Sequence, residues 1–341
     1  MTHLFTSRRL VPIGAGLLAL VLFPLLVPGT GEIAASFFNG AFGGRNFFNL
    51  YATLSRYTIL LGMALAVLIS FRAGLLNIGG EGQLVLGGLV AALVGVYLPA
   101  PPLVIALVAL LAAMATGACW AVLAGLLERG TGVPLLIGSL LLNYPASFLA
   151  SYAVSHPFRD VASGATQTFR ILREAGLPRF QGTILDYGIF LIGAAALAYV
   201  ILERFTVFGY RSRLRGYSAG FARASGFPNR RLYYRTLMLS GAAAGMTGFV
   251  AVFGSSQRFV DGMLTTPLYA WTGIAAVLLA AVRPGLVPLT AFFFAMLATG
   301  SIGMERTAGI PREFGQVIQA LIVLTLAGFA GKLTAISGGT R

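Results

Sequence analysis

An acid inside an apolar run needs a chemical reason. Glu81 stands in Leu75-Leu-Asn-Ile-Gly-Gly-Glu-Gly-Gln83, where no other residue is charged. A charged side chain near the centre of a bilayer costs about 2.5–3.5 kcal/mol on insertion scales, so such groups face a cavity or a partner. Asn77 lies four residues earlier, on the same face where the piece is helical, and Gln83 follows two residues later. Gly79, Gly80 and Gly82 bare backbone amides and carbonyls, which lipid tolerates only beside protein or a water-filled cavity. Two readings follow. These side chains cap the ends of a broken helix, or they offer hydrogen bonds to a polar solute on its way through. Asn143 and Tyr144, in Leu-Leu-Leu-Asn-Tyr-Pro, pose the same choice. Pro145 frees a carbonyl one turn back, and Asn143 either satisfies it as glue between helices or reaches a solute. Tyr269 and Trp271 stack a flat ring or belong to an interfacial aromatic belt.

A second group carries charge. Residues 204–236 hold eight Arg and no acid. That is an orientation signal of the positive-inside kind. Tyr217, Phe221 and Ala224 also recur at helical spacing, and Ser225 and Gly226 end the turn before Pro228. A short amphipathic helix in a cytoplasmic loop needs something to pack on, and a partner protein is the natural candidate.

Several other chemistries are excluded. Gly216-Tyr-Ser-Ala-Gly220 has the spelling of a nucleophile elbow, but it lacks a preceding strand and a His partner. Gly331-Lys332 is followed by Leu333, so it is no phosphate loop. Cys119 is the single cysteine and lies in an apolar run, and only His3 and His156 occur. Neither a disulfide framework nor a metal cluster is expected, and no cofactor.

The elements that position these residues must lie in lipid. Apolar residues make up 57% of the 341 and charged residues 10%, against about 25% charged in soluble domains. Mean hydropathy is +0.85. Net charge is +14, which in a soluble protein would suggest nucleic acid and here reports membrane orientation. Hydropathy and punctuation predict an all-α polytopic protein of about ten spans: 10–28, 57–72, 74–98, 102–127, 134–154, 184–203, 237–254, 269–282, 286–303 and 314–331. The third and eighth are broken by Gly and Pro, near 77–83 and 254–273. The first span follows Arg8 and Arg9 and reads as retained. Alternation from that end puts residues 204–236, Arg283 and both termini inside, and the 155–183 loop with most acids outside. Spans two to five and seven to ten start from opposite sides and each contain one broken segment, as inverted repeats do. Transporters build substrate sites from such segments. Gly241-Ala-Ala-Ala-Gly245 fits close helix packing.

From Arg72-Ala-Gly-Leu-Leu-Asn-Ile-Gly-Gly-Glu-Gly-Gln83 the sequence resembles the permease subunits of bacterial ABC importers in the branched-chain amino acid/ribose superfamily, nearest the nucleoside and simple-sugar branch. Four further stretches agree, in the family's order. They are Leu140-Leu-Leu-Asn-Tyr144; Pro157-Phe-Arg-Asp160; the segment from Phe208-Gly-Tyr210 to Ala222-Arg-Ala-Ser-Gly226 with Leu239-Ser-Gly-Ala242; and Arg258-Phe-Val-Asp-Gly-Met263 before Gly273-Ile-Ala-Ala-Val277. The chain departs from the family at Ser218-Ala219, where Asn-Pro is common, and at Pro145.

The resemblance implies a single transmembrane permease domain over residues 1–341 in a bacterial inner membrane, surrounded by lipid. It implies dimerisation with a related second permease, a cytoplasmic ABC ATPase, an extracytoplasmic solute-binding protein and no nucleic acid. Residues 204–236 map onto the family's ATPase-coupling segment, with Arg213, Arg215, Gly216, Tyr217, Phe221, Arg223 and Gly226 as contacts. The expected solute path takes Asn77, Glu81, Gln83, Asn143, Tyr144, Tyr269 and Trp271. Amides and a phenol suit hydroxyls and base edges, and no Arg lies in mid-span to pair with an anion. A nucleoside or related polar ring compound is the expected solute. A stand-alone secondary transporter or channel is the competing reading, but it would more often show several intramembrane acids or His.

Overall fold

The computed structural model describes residues 30–218, 220, 224 and 229–321. The expected first span, Phe221, Arg223, Gly226 and the end of the expected last span lie outside the described residues. The described chain is helical, with two isolated β-bridges and no strand. Its helices are α1 (Thr30–Phe42), α2 (Phe48–Arg72), α3 (Gly80–Tyr97), α4 (Pro102–Thr131), α5 (Leu135–Leu141), α6 (Asn143–Ser155), α7 (Gly188–Phe205), α8 (Val207–Tyr217), α9 (Asn229–Val250), α10 (Tyr269–Leu279) and α11 (Val287–Ala308).

Seven stretches are long and apolar enough to cross a membrane: α2, α3, α4, α5 with α6, α7, α9 with its extension to Ser256, and α11. The helix α10 is apolar but short. Eight of the ten expected spans thus have their counterparts, and a ninth begins as helix over 313–321. The helix α1 was not expected. Its acid Glu32 sits in the first turn, where it complements the helix dipole. Read along the sequence, that same acid marks the end of an apolar run.

The chain groups into two units, residues 1–56 with 292–341 and residues 57–291. In the first, α1 meets α11 backbone to backbone at Gly40 and Gly303. A Cβ on Gly40 would stand 2.5 Å from the Gly303 Cα. Thr53 Oγ1 donates to the Ala41 carbonyl at 2.7 Å.

In the second unit α9 is the central helix, with 83% of its apolar window buried. Lipid gives helices no hydrophobic reason to associate, so they rely on close backbone approach over small residues. The Gly241-Ala-Ala-Ala-Gly245 face does this. A Cβ on Gly245 would lie 2.0 Å from the Ala113 carbonyl oxygen of α4, and one on Gly241 2.2 Å from that of Gly117. On its other side Gly245 meets Gly87 of α3, where a Cβ on Gly87 would be 2.6 Å from the Gly245 Cα. The α4 helix starts with Pro102 at its N-terminus and stops at Gly132 with φ 75°, the asymmetry expected of Pro and Gly. The break at Leu142 separates α5 from α6 and puts Pro145 in the first turn of α6, where its missing N–H costs little.

Candidate functional site

Two segments interrupt the second unit where the glycines predicted it. The first follows α2. Gly74 takes φ +67°, and the amides of Ala73 and Leu75 fold back onto the Ser70 carbonyl. Residues 75–78 are then non-helical until α3 begins at Gly80. Such backbone has to be satisfied by protein inside a membrane, and over residues 78–82 the side chains of Asn77, Ser139 and Asn143 do it. Asn77 Oδ1 accepts from the Gly79 amide at 3.1 Å and from Gln83 Nε2 at 3.2 Å. Asn77 Nδ2 donates to Ser240 Oγ of α9 at 3.2 Å, and that hydroxyl donates to the Ala66 carbonyl at 2.7 Å. Ser139 Oγ accepts from the Ile78 amide at 3.1 Å. Asn143 works from both ends of its amide: Oδ1 accepts from Gly82 at 2.9 Å and Nδ2 donates to the Ile78 carbonyl at 3.2 Å.

Asn77, Gln83, Ser139, Asn143 and Ser240 are all buried. Asn77 and Asn143 both use their side-chain amides to tie this segment to neighbouring helices. The Gln83 side chain is enclosed with them, and its Oε1 makes no protein hydrogen bond.

Glu81 has a different neighbour. It lies in the first turn of α3, half-buried, with the Trp271 side chain from the first turn of α10 against its carboxyl. An acid at a helix N-terminus is favoured by the dipole. The same contact links the two interrupted segments, because Trp271 follows the second of them directly. Tyr269 is partly buried beside it in sequence, and Trp271 is more exposed. Tyr144 is mostly exposed on α6, apart from the bonded cluster made by its neighbour Asn143.

The second interruption begins as α9 widens into a π-helix, Ala251–Ser256, that stops at Gln257 with φ 53°. Irregular chain continues to Leu268, also left-handed at φ 56°. The 155–187 loop holds this segment. Arg170 donates to Gln257 Oε1 at 2.6 Å and Arg179 to the carbonyls of Gly254 at 2.9 Å and Ser255 at 2.6 Å. Main-chain bonds run alongside, from Thr168 to Phe259, Ile171 to Gln257 and Leu177 to Phe253. Asp186 caps α7 through the Gly188 amide at 2.8 Å. Burial pushes its carboxyl above the ordinary carboxylate range, against opposing pulls from Gly188 and Arg179.

The arginine-rich segment is partly described. Thr206 starts α8, its Oγ1 accepting from the Gly209 amide at 3.2 Å, as N-cap residues do. Tyr217 is 82% exposed. Arg215 and Gly216 face the chain instead. Arg215 donates to the Ala73 carbonyl at 2.5 Å and lies 5.6 Å from the centre of the Tyr233 ring. Gly216 packs on the Arg72 carbonyl, which a Cβ would approach to 2.2 Å. Arg213 is intermediate in exposure.

Residues 49–327 match the model of a family described as the permease component of the branched-chain amino acid transport system. The chain belongs to that family. A glucose ABC transporter permease protein from Haloferax volcanii is 31% identical over 82% of this chain and 76% of its own length. A guanosine ABC transporter permease protein from Bacillus subtilis is 29% identical over 94% and 93%. A nucleoside ABC transporter permease protein from Lactococcus lactis is 26% identical over 81% and 78%. The chain is therefore a multi-pass, non-catalytic permease subunit of an ABC transporter, and membership implies an ATPase and a solute-binding protein as partners.

Sequence reading missed several residues that shape this permease. The Arg72 guanidinium pairs with Glu203 of α7, with Nε at 2.6 Å. Tyr233 donates to Glu128, whose other oxygen accepts from the Leu135 amide at 3.2 Å. A signal was available. Glu81, Glu128 and Glu203 all lie within or at the end of apolar runs, where an acid calls for a donor.

Proposed function

We propose that this permease forms the translocation path for an uncharged polar ring solute, a nucleoside or a closely related compound, and that the path passes Glu81, Trp271 and Tyr269. One observation carries the reading: the contact between the Glu81 carboxyl and the Trp271 side chain, which brings the two interrupted segments together. Transporters place their solutes between such segments. An indole face beside a carboxylate acceptor suits a base that stacks and a hydroxyl that donates. Asn77, Gln83 and Asn143 frame this place, with Gln83 Oε1 the frame's free acceptor. Tyr144 belongs to the path only if a second subunit covers it. The guanosine and nucleoside relatives support the solute class, and the glucose relative widens it to sugars.

In this reading the permease sits in a bacterial inner membrane with both termini cytoplasmic and pairs with a second, related permease. The ATPase docks on residues 204–236, with Tyr217 on the exposed side of α8 as a contact. The solute-binding protein meets the 155–183 side. Residues 1–341 act as one permease domain.

Uptake of labelled guanosine by the assembled transporter in proteoliposomes tests the assignment. Other nucleosides should compete and leucine should not. Glu81→Ala should lower uptake roughly tenfold, the cost of about 1.4 kcal/mol in a rate-limiting step, with the binding protein's affinity unchanged. Leucine as the transported species would overturn the solute class. Wild-type uptake by Glu81→Ala, at equal membrane abundance, would remove Glu81 from the path.

A further inference from the structure

We propose that Arg215 and Gly216 are positioning residues that carry movement of the ATPase-docking helix α8 into the first interrupted segment, residues 73–79. The proposal rests on the reading that the ATPase docks on residues 204–236. It adds which part of the membrane domain receives the push, and through which atoms.

Three contacts define the link. The Arg215 guanidinium donates to the Ala73 carbonyl at 2.5 Å. Ala73 is the first residue of the segment, directly after the end of α2 at Arg72. A planar guanidinium holds such a bond in a fixed direction better than an ammonium on a flexible stem. Second, Gly216 and Gly74 meet backbone to backbone. A Cβ on Gly216 would approach the Arg72 carbonyl oxygen to 2.2 Å, and a Cβ on Gly74 would stand 3.2 Å from the Gly216 Cα. With no side chain between them, little can give way when α8 moves. Third, Arg215 is itself braced. It lies over the Tyr233 ring at 5.6 Å, and Tyr233 donates to Glu128, which accepts from the first amide of α5. A shift of α8 is thus resisted on the α4, α5 and α9 side and transmitted to residues 73–79.

The receiving segment suits the task. It is non-helical over 75–78, so it can change backbone angles without breaking a helix. Its far end is Asn77, which sets the Gly79 amide and Gln83 at the start of α3. Glu81 is one turn away. Asn77 is four residue steps beyond Ala73, a reach of at most about 14 Å. The nearby Arg72–Glu203 ion pair does a different job. It ties the end of α2 to α7 and makes no bond to the irregular segment.

The test follows the segment itself. Cys119 is the single cysteine, so a Cys119→Ser background with Leu76→Cys places one thiol within it. Leu76 is half exposed. The complete transporter, with its ATPase, partner permease and binding protein, is reconstituted in proteoliposomes. Maleimide labelling of position 76 is timed with and without ATP and vanadate. Nucleotide should change the rate in the parent. In Arg215→Met that change should disappear while the ATPase still co-purifies, and uptake should fall roughly 2- to 30-fold, the range of coupling effects of 0.5–2 kcal/mol. Arg215→Lys keeps one donor and should restore part of the response. If Arg215→Met fails to insert, Arg215→Lys carries the test, and a full parental response in it overturns the proposal. Tyr217→Asp separates the two readings. It should shed the ATPase altogether. If it keeps the ATPase and full coupling, the docking reading fails. If it sheds the ATPase while Arg215→Met keeps parental labelling and uptake, only the relay through Arg215 fails.

Discussion

The two interrupted segments solve the same problem with different chemistry. Around residues 77–83 the exposed backbone is taken up by neutral side chains, Asn77, Ser139 and Asn143, with Ser240 bracing Asn77, while Arg215 takes the Ala73 carbonyl at the segment's start. Around 251–261 it is taken up by arginines and by a neighbouring main chain, that of 166–177. The first group is buried, and buried charge is costly unless it is paired. Amides and hydroxyls satisfy backbone there at a lower desolvation cost. Arg170 and Arg179 come from an extramembrane loop, where the unbonded side of a guanidinium meets water. The chemistry of each clamp thus reports the polarity of its surroundings.

The sharpest way to break the comparison is Asn143→Leu. It takes the side-chain partner from the buried Gly82 amide and from the part-buried Ile78 carbonyl. At about 1–3 kcal/mol for each such group, the loss should come to roughly 2–6 kcal/mol. Thermal unfolding in detergent should show a larger drop in midpoint than substitution of Arg179 or Ser139 produces. Asn143→Asp tests the claim about charge, because it keeps the shape and one acceptor but forces a carboxylate or its proton into the site. It should be destabilising, and less so at low pH, where the neutral acid dominates. Equal stability of Asn143→Leu and the parent would mean that the bonds around 78–82 contribute nothing.

Arg179→Met should act on the other segment and act less. It removes the charged donor to the Gly254 and Ser255 carbonyls, and Ser255 is exposed, so water can replace the donor there. A loss of about 1–2 kcal/mol is expected. Hydrogen exchange followed by mass spectrometry should show faster exchange in peptides covering 251–261 and unchanged exchange over 77–90. Acceleration in both would mean that the two segments are held as one piece.

How much of this was legible in the sequence follows from the range of each signal. The spans were legible because hydropathy is a local average, and the glycine clusters marked both interruptions for the same reason. The acid in the apolar run singled out Glu81. What holds the interruptions was harder to see, because those bonds cross long stretches of chain. Asn143 and Gly82 are 61 residues apart, and Asn77 and Ser240 are 163 apart. Serines such as Ser139 and Ser240 carry no local sign of such a role. Arg170 and Arg179 looked like ordinary charges of an outer loop, since nothing nearby in sequence says that they reach Gln257 and Gly254. Tyr144 and Asn143 are adjacent in sequence but separate in the fold, one exposed and one buried. Adjacency on a helix places neighbours about 100° apart, so a motif read as a unit is divided between faces.

The smallest expected effect sharpens the comparison from within the first segment. Ser139→Ala removes the acceptor for the Ile78 amide, but the Ile78 carbonyl keeps Asn143. One neutral hydrogen bond is worth about 0.5–1.5 kcal/mol net, and the alanine leaves only a small space. A drop of about 1 kcal/mol should therefore appear, well below that of Asn143→Leu. The double variant is more informative than either. Both side chains bond the same two-peptide stretch, so if the segment relaxes once its first support is lost, the second loss should cost less than it does alone. Summed single-variant losses that exceed the double-variant loss by more than about 0.5 kcal/mol would indicate one cooperative clamp. Strict additivity would instead describe two independent bonds that share a neighbourhood, and the contrast drawn between a buried neutral clamp and a surface arginine clamp would then concern single bonds rather than networks.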